Sequence, residues 1–317
     1  MMDIPTTLAQ SIQTAGDQSG LDAACKRLLS EKIILAWIMK GCLSEYTNMD
    51  ISQIAADYIE GSPQISTVTV HPDTQPSRIQ GQNTEDSTMT EGTVTYDIRF
   101  HAIAPSSGEM IRLFINVEAQ NSFYPGYPIV KRAIYYCSRM ISSQYGTEFT
   151  NSHYDDIKKV YSIWICQNPP LSWANSINRY FLCEESICGS ATETPQNYDL
   201  LTAIIIGLDS SGSSSKSKLI DLLSLLLSNS IHPDEKLHRL ESDFQISTTQ
   251  QIESEVTTMC NLGAGIAAAQ GLQQGVEQAT LDSIKALCQN LVISVPEALQ
   301  LLNISETDWP KYLEQLT

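Results

Sequence analysis

Apolar residues recur at mixed three- and four-residue spacing from Leu21 to Tyr46, with Leu28, Leu29, Ile33, Trp37, Met39 and Leu43 on the repeat. That pattern predicts one long amphipathic helix. Asp50 stands where an N-cap belongs and predicts a second helix over Ile51–Ile59. Gly61, Ser62 and Pro63 interrupt it, and Ile65–Val70 reads as a strand. β-Branched and aromatic residues are then dense over Val94–Ala104 and again over Met110–Ala119. Pro105 to Gly108 separates them, with Pro to preset φ and Gly to permit a positive one, so the two runs read as a hairpin. A helix over Ile129–Tyr145, a buried strand over Lys159–Cys166 and strands over Asn178–Glu184 and Asp199–Leu208 continue an α/β order.

The remaining stretches set the expected divisions. Residues 1–20 are polar and read as a loose arm. His71–Gly92 has no periodicity and is too long for an ordinary connection. Ser210–Ser217 is rich in Ser and Gly and predicts a boundary. Beyond it the pattern is helical only: Leu219–Leu227, Pro233–Glu241, Thr248–Leu262, and two short helices capped by Ser294 and Ser305 with Trp309 as anchor. Gly263–Gln289 is rich in Ala, Gln and Gly, and reads as a frayed arm or a coiled-coil-like partner helix. The expected organisation is therefore an arm (1–20), an α/β domain (21–208) and an all-helical C-terminal appendage (209–317).

Charge changes the picture. The chain of 317 residues carries a formal net charge of −17, unexpected for a protein that meets phosphate. From Asp97 to Tyr180, however, eight bases face six acids, a local +2. Beyond residue 208, 14 acids face six bases. Contact with DNA is thus expected in the middle, and self-association into a homo-oligomer in the acidic tail. The eight cysteines show no metal-like spacing and read as reduced thiols of a cytoplasmic protein. No signal peptide and no membrane span are expected.

Candidate chemistry lies in the hairpin. Each strand carries one acid in apolar surroundings, Asp97 and Glu118, and Gln120 follows on the same face as Glu118. With the turn centred on Ser106 and Ser107, Asp97 lies opposite residue 116 and diagonal to Glu118, within roughly 7–8 Å. Two carboxylates at that range on a buried sheet repel each other unless something neutralises them. A hard divalent cation does so, and Mg²⁺ takes one or two carboxylates and keeps several waters.

Asp97, a hairpin, Glu118-Ala119-Gln120 and the Arg/Tyr helix that follows resemble the PD-(D/E)XK nuclease superfamily. They resemble most closely the recombination-promoting nuclease/putative transposase family, in which Gln stands where most relatives have Lys. The resemblance covers roughly residues 25–210. It implies a restriction-endonuclease-like α/β/α core on a mixed sheet. It also implies metal-dependent hydrolysis of DNA phosphodiesters, with Asp97 and Glu118 holding Mg²⁺ or Mn²⁺ and Gln120 orienting a water. The alternative is a weakly active or inactive nuclease-fold protein that serves as a DNA-binding or protein-interaction module.

A further acid often comes from the first helix in this superfamily; Glu31 and Glu45 are candidates here, and Glu91 is a third. Glu85 is a loop acid with either a site or a solvated role, and His101, four residues from Asp97, is a neighbour of the site or an ordinary core histidine. On the helix, Lys131, Arg132 and Arg139 are candidate phosphate contacts. Arg132 serves equally as the partner of a core carboxylate, and Tyr135 and Tyr136 as packing on the sheet. No P-loop, dinucleotide fingerprint or nucleophile elbow is present.

Overall fold

A computed structural model describes residues 7–65, 85–88, 92–105, 111–209, 215–228 and 230–316. The elements, in chain order, begin with helices α1 (Thr7–Leu29), α2 (Lys32–Cys42) and α3 (Ile51–Gln53), the last continued by a π-helical turn over Ile54–Tyr58. Strands β1 (Gln64–Ile65), β2 (Glu85–Thr88), β3 (Gly92–Thr95), β4 (Ile98–Ala104) and β5 (Ile111–Ser122) follow. Then come α4 (Ile129–Ser142), β6 (Val160–Asn168), β7 (Ser176–Phe181) and β8 (Leu201–Gly207). The rest is helical: α5 (Lys218–Leu227), α6 (Pro233–Phe244), α7 (Gln250–Leu291), α8 (Val295–Leu301) and α9 (Trp309–Leu316).

Six strands form one mixed sheet in the order β1-β4-β5-β6-β8-β7. Its centre, β5, β6 and β8, is parallel, and both flanks are antiparallel. The central strands are buried on both faces, which explains why β6 reads as an apolar run broken only by Ser162 from Val160 to Cys166. Alternate residues feed two cores. Val117, Ile163, Ile165, Ile204 and Ile206 pack with α2 and α5, whereas Trp164, Cys166, Ala203 and Ile205 pack with α4. All eight cysteines are free.

Several expectations change here. The single helix over Leu21–Tyr46 is two, because the chain breaks at Ser30, whose hydroxyl donates to the Arg27 carbonyl at 2.7 Å, and Glu31 takes an extended backbone with ψ 128°. The arm is helical from Thr7 onward. Asp50 caps as expected, accepting from the backbone N–H groups of Ser52 and Gln53. Only two residues of the strand expected over Ile65–Val70 are described, and Ser66–Val70 lies outside the described residues.

The largest change concerns the tail. The chain divides into a unit spanning Ser19–Asn261 and one made of Met1–Gln18 with Leu262–Thr317, so the boundary expected after 208 falls near 262 instead. In the first unit α5, apolar except at Lys218, Asp221 and Ser224, belongs to the core below the sheet: Leu219, Leu222, Leu223 and Leu226 are buried with Ile204 and Ile206. Gly41 of α2 lets α5 approach; a Cβ there would stand 2.6 Å from Cδ2 of Leu219. Phe244, Ile252, Val256 and Met259 complete the same core. In the second unit Leu281, Ile284, Ala298, Leu299 and Tyr312 form a small core with Trp309, whose indole N–H donates to the Ile304 carbonyl. The glycine-rich stretch does not fray: α7 runs unbroken through Gly263, Gly265, Gly271 and Gly275.

Candidate active site

The site is built where β4 begins and β5 ends. The pairing of Ile98 with Val117 places Asp97 directly across from Glu118, not opposite residue 116. Asp97 occupies a bend just before β4, so its side chain and that of Glu118 each reach the other strand's backbone. The Asp97 N–H donates to Oε1 of Glu118 at 2.9 Å, and the Ala119 N–H donates to Oδ2 of Asp97 at 3.2 Å. The two acids thus close the end of the ladder with their carboxylates where a backbone pair would otherwise stand.

Glu118 is only 4% exposed. Alternation puts it on the face of β5 that packs under α4, level with Trp164 of β6. Burial first, and then the Asp97 charge, hold its carboxyl well above the usual carboxylate range. The Asp97 carboxyl is also raised, by burial, against the opposing pull of Lys26.

Lys26 is the residue that sequence reasoning missed. It projects from α1, is 6% exposed, and its Nζ lies 2.8 Å from Oδ1 of Asp97 and 2.7 Å from Oδ2 of Asp22. Burial disfavours its charge, but Asp97 and Asp22 outweigh that and keep its pKa above the ordinary lysine value. A signal existed in the spacing: Asp22 and Lys26 are an i,i+4 pair beside the apolar Cys25, Leu28 and Leu29, so a charge was being carried into the core.

Arg132 approaches from α4. Its guanidinium lies 5.0 Å from the ring centre of Tyr136 and 5.2 Å from that of Trp164. It donates to the Tyr136 hydroxyl at 2.6 Å and to that of Tyr127 at 3.2 Å. Its charge favours the ionised form of Glu118, a smaller effect than burial. Of the two readings offered for Arg132, a phosphate contact or the partner of a core carboxylate, its effect on Glu118 accords with the second.

The other candidates separate. Gln120 pairs with Cys166 in β5 and its backbone shares the face of Glu118; its side chain lies outside the described residues. Lys131 is exposed. Arg139 is buried and donates to the Tyr135 hydroxyl at 3.1 Å, so its expected contact with a phosphate backbone is corrected to a packing role. Glu31 accepts from Gln251 on α7, and Glu45 accepts from the Tyr161 hydroxyl at 2.6 Å; neither is bonded to Asp97 or Glu118, and Asp22 is the acid that α1 brings to Lys26. Glu91 lies outside the described residues, and of Glu85 only the backbone is described. His101 pairs with Glu60 at 3.7 Å and stands level with Phe114, away from the acid pair.

The donor set limits the kind of cation that it could hold. Among the described residues no group of three or more His, Cys, Asp or Glu converges on one point, so a site closed by protein ligands alone is not built here. Two adjacent carboxyl groups, both raised by burial and Glu118 further by the Asp97 charge, would suit a hydrated hard ion such as Mg²⁺, which needs no third side chain. Among the described residues no helix is long and apolar enough to cross a membrane. No family model, no curated protein and no solved structure matches the chain, so what the site does is read from its own chemistry.

Proposed function

We propose that the chain is a Mg²⁺- or Mn²⁺-dependent DNA endonuclease of the PD-(D/E)XK type, hydrolysing phosphodiester bonds. The observation that carries the reading is the Asp97–Glu118 pair where β4 begins beside β5, with Lys26 on Asp97. Bound by the two carboxylates, the ion would acidify a water and polarise the scissile phosphate. Asp97 and Glu118 would hold it, each oriented by a backbone N–H from the opposite side of the ladder. Gln120 orients a water by hydrogen bonding but carries no charge. Lys26 supplies the fixed positive charge that Gln120 lacks, where negative charge develops on phosphate oxygens. Arg132 adds a second cation on the α4 side of Glu118.

The test is nicking of supercoiled plasmid by the purified full chain in Mg²⁺ or Mn²⁺, with EDTA as control. Glu118→Gln abolishes nicking on this reading; nicking that survives in that variant, purified free of contaminating nuclease, overturns the site. A second reading has its own support. Both Asp97 oxygens are already engaged, one by Lys26 and one by Ala119, as in a closed structural ion cluster. A nuclease-fold module without catalysis would bind DNA or a protein partner and keep doing so in the Glu118→Gln variant, with no nicking in either form.

A further inference from the structure

Between β5 and α4 the chain spells Ser122-Phe123-Tyr124-Pro125-Gly126-Tyr127-Pro128. Phe123 is buried against Trp173, their ring centres 5.1 Å apart, and fixes the loop to the sheet. Tyr124 stands edge-on to Phe123, centres 4.9 Å apart, yet is 61% exposed. Tyr127 is 42% exposed and takes a hydrogen bond from Arg132. Gly126 between them has φ +95°, a turn conformation that L side chains rarely adopt, and prolines stand on either side of the Gly126–Tyr127 pair. Two aromatic rings are therefore held out toward solvent by a stiff loop, one of them tethered to the arginine that serves Glu118.

Charge narrows the partner. Lys131 at the start of α4 is exposed, and Arg132 beside it donates to Tyr127, in a chain of net −17. Exposed rings beside these two cations match a polyanion that displays π-faces. In a duplex the bases are stacked on one another and their faces are closed; in a single strand they are open to tyrosine.

We infer that the Tyr124–Tyr127 loop is a stacking platform for single-stranded nucleic acid leading to the acid pair. The inference rests on the nuclease reading for its purpose but not for its test. Affinity is measured by fluorescence anisotropy with the full chain in EDTA, using a fluorescein-labelled oligo(dT) and a mixed-sequence duplex of equal length. The single strand binds more tightly than the duplex. Tyr124→Ala and Tyr127→Ala each weaken single-strand binding by roughly five- to a hundredfold, with unchanged melting temperature, and Tyr124→Phe retains it because the ring remains. Equal affinity for the two nucleic acids, no binding of either, or unchanged affinity in both alanine variants overturns the platform. If instead single-strand binding holds while the plasmid assay shows no metal-dependent nicking, the platform stands and the nuclease reading falls.

Discussion

Replacing Lys26 by Met removes a buried charge from between two carboxylates while keeping much of the side chain's apolar length. The ion pair with Asp97 spans 2.8 Å, and at an effective dielectric constant of ~20 unit charges at that separation attract by about 6 kcal/mol. Burying both ions offsets part of that attraction, and deleting one partner of a buried pair costs ~3–5 kcal/mol. The Asp97 side chain is 17% exposed, which places this case at the lower end. The second partner, Asp22, is 42% exposed and adds no more than ~0.5 kcal/mol. Proton uptake by the stranded Asp97 limits the loss to about 4 kcal/mol near neutral pH, reckoned from an ordinary carboxyl.

The expected destabilisation is therefore ~3 kcal/mol near neutral pH, read from urea unfolding followed by tryptophan fluorescence; Trp37, Trp164 and Trp173 all lie in the same unit as Lys26. Burial holds the Asp97 carboxyl above its ordinary 3.8, so the ion pair stabilises above that titration and the difference between the two proteins shrinks as pH falls through it. Adding Asp97→Asn to Lys26→Met restores most of the loss, because the only partner of Lys26 left ionised is Asp22, whose side chain is 42% exposed. A cost below about 1 kcal/mol, the scale of a surface pair, or a double variant no more stable than Lys26→Met, would refute the buried-pair reasoning.

Glu118→Gln raises the melting temperature near neutral pH without metal. The raised carboxyl stabilises the fold fully only below its unfolded value near 4.5 and loses that contribution as pH rises through its folded value, so the gain of the variant grows with pH and vanishes in acid. An unchanged melting temperature across that range would contradict the close pairing. Leu222→Ala in α5 costs ~2–5 kcal/mol in the same urea assay, because that residue belongs to the core beneath the sheet; a cost near zero would return α5 to an appendage. Self-association, if carried by residues 262–317, shows as a fall in solution mass by light scattering when they are removed, and an unchanged mass ends that role.

The sheet was legible in the sequence because its strands carry strong local signals. Val160–Cys166 is apolar at every position but Ser162, and Glu118-Ala119-Gln120 interrupts an apolar run with two polar side chains on one face. The register was off by two because it was reckoned from an assumed turn centre, whereas β4 starts only after the bend at Asp97. Lys26 was overlooked because the pairing spans some 70 positions of chain, and no local period reports which buried helix face meets which strand end. The tail was misdivided for a different reason. Ser210–Ser217 has the composition of a linker, but Leu219–Leu227 is apolar at every position except Asp221 and Ser224, and a helix with so wide an apolar surface is buried wherever it lies in the chain.

The strand order has a consequence for biosynthesis. β7 leaves the ribosome before β8, yet β8 lies between β6 and β7 and is the sheet neighbour of both. While the nascent chain ends between Phe181 and Leu201, β6 presents an open edge and β7 has no sheet to join. Both are unpaired strand edges of the kind that recruit another chain. Slow decoding through that stretch would lengthen the exposure, and a chaperone that shields β-edges would act there. Completion of β8 closes both edges at once, and only afterwards does α5 arrive to cover the face beneath. The acid pair of β4 and β5 can pair early, but its supporting sheet is finished late in synthesis.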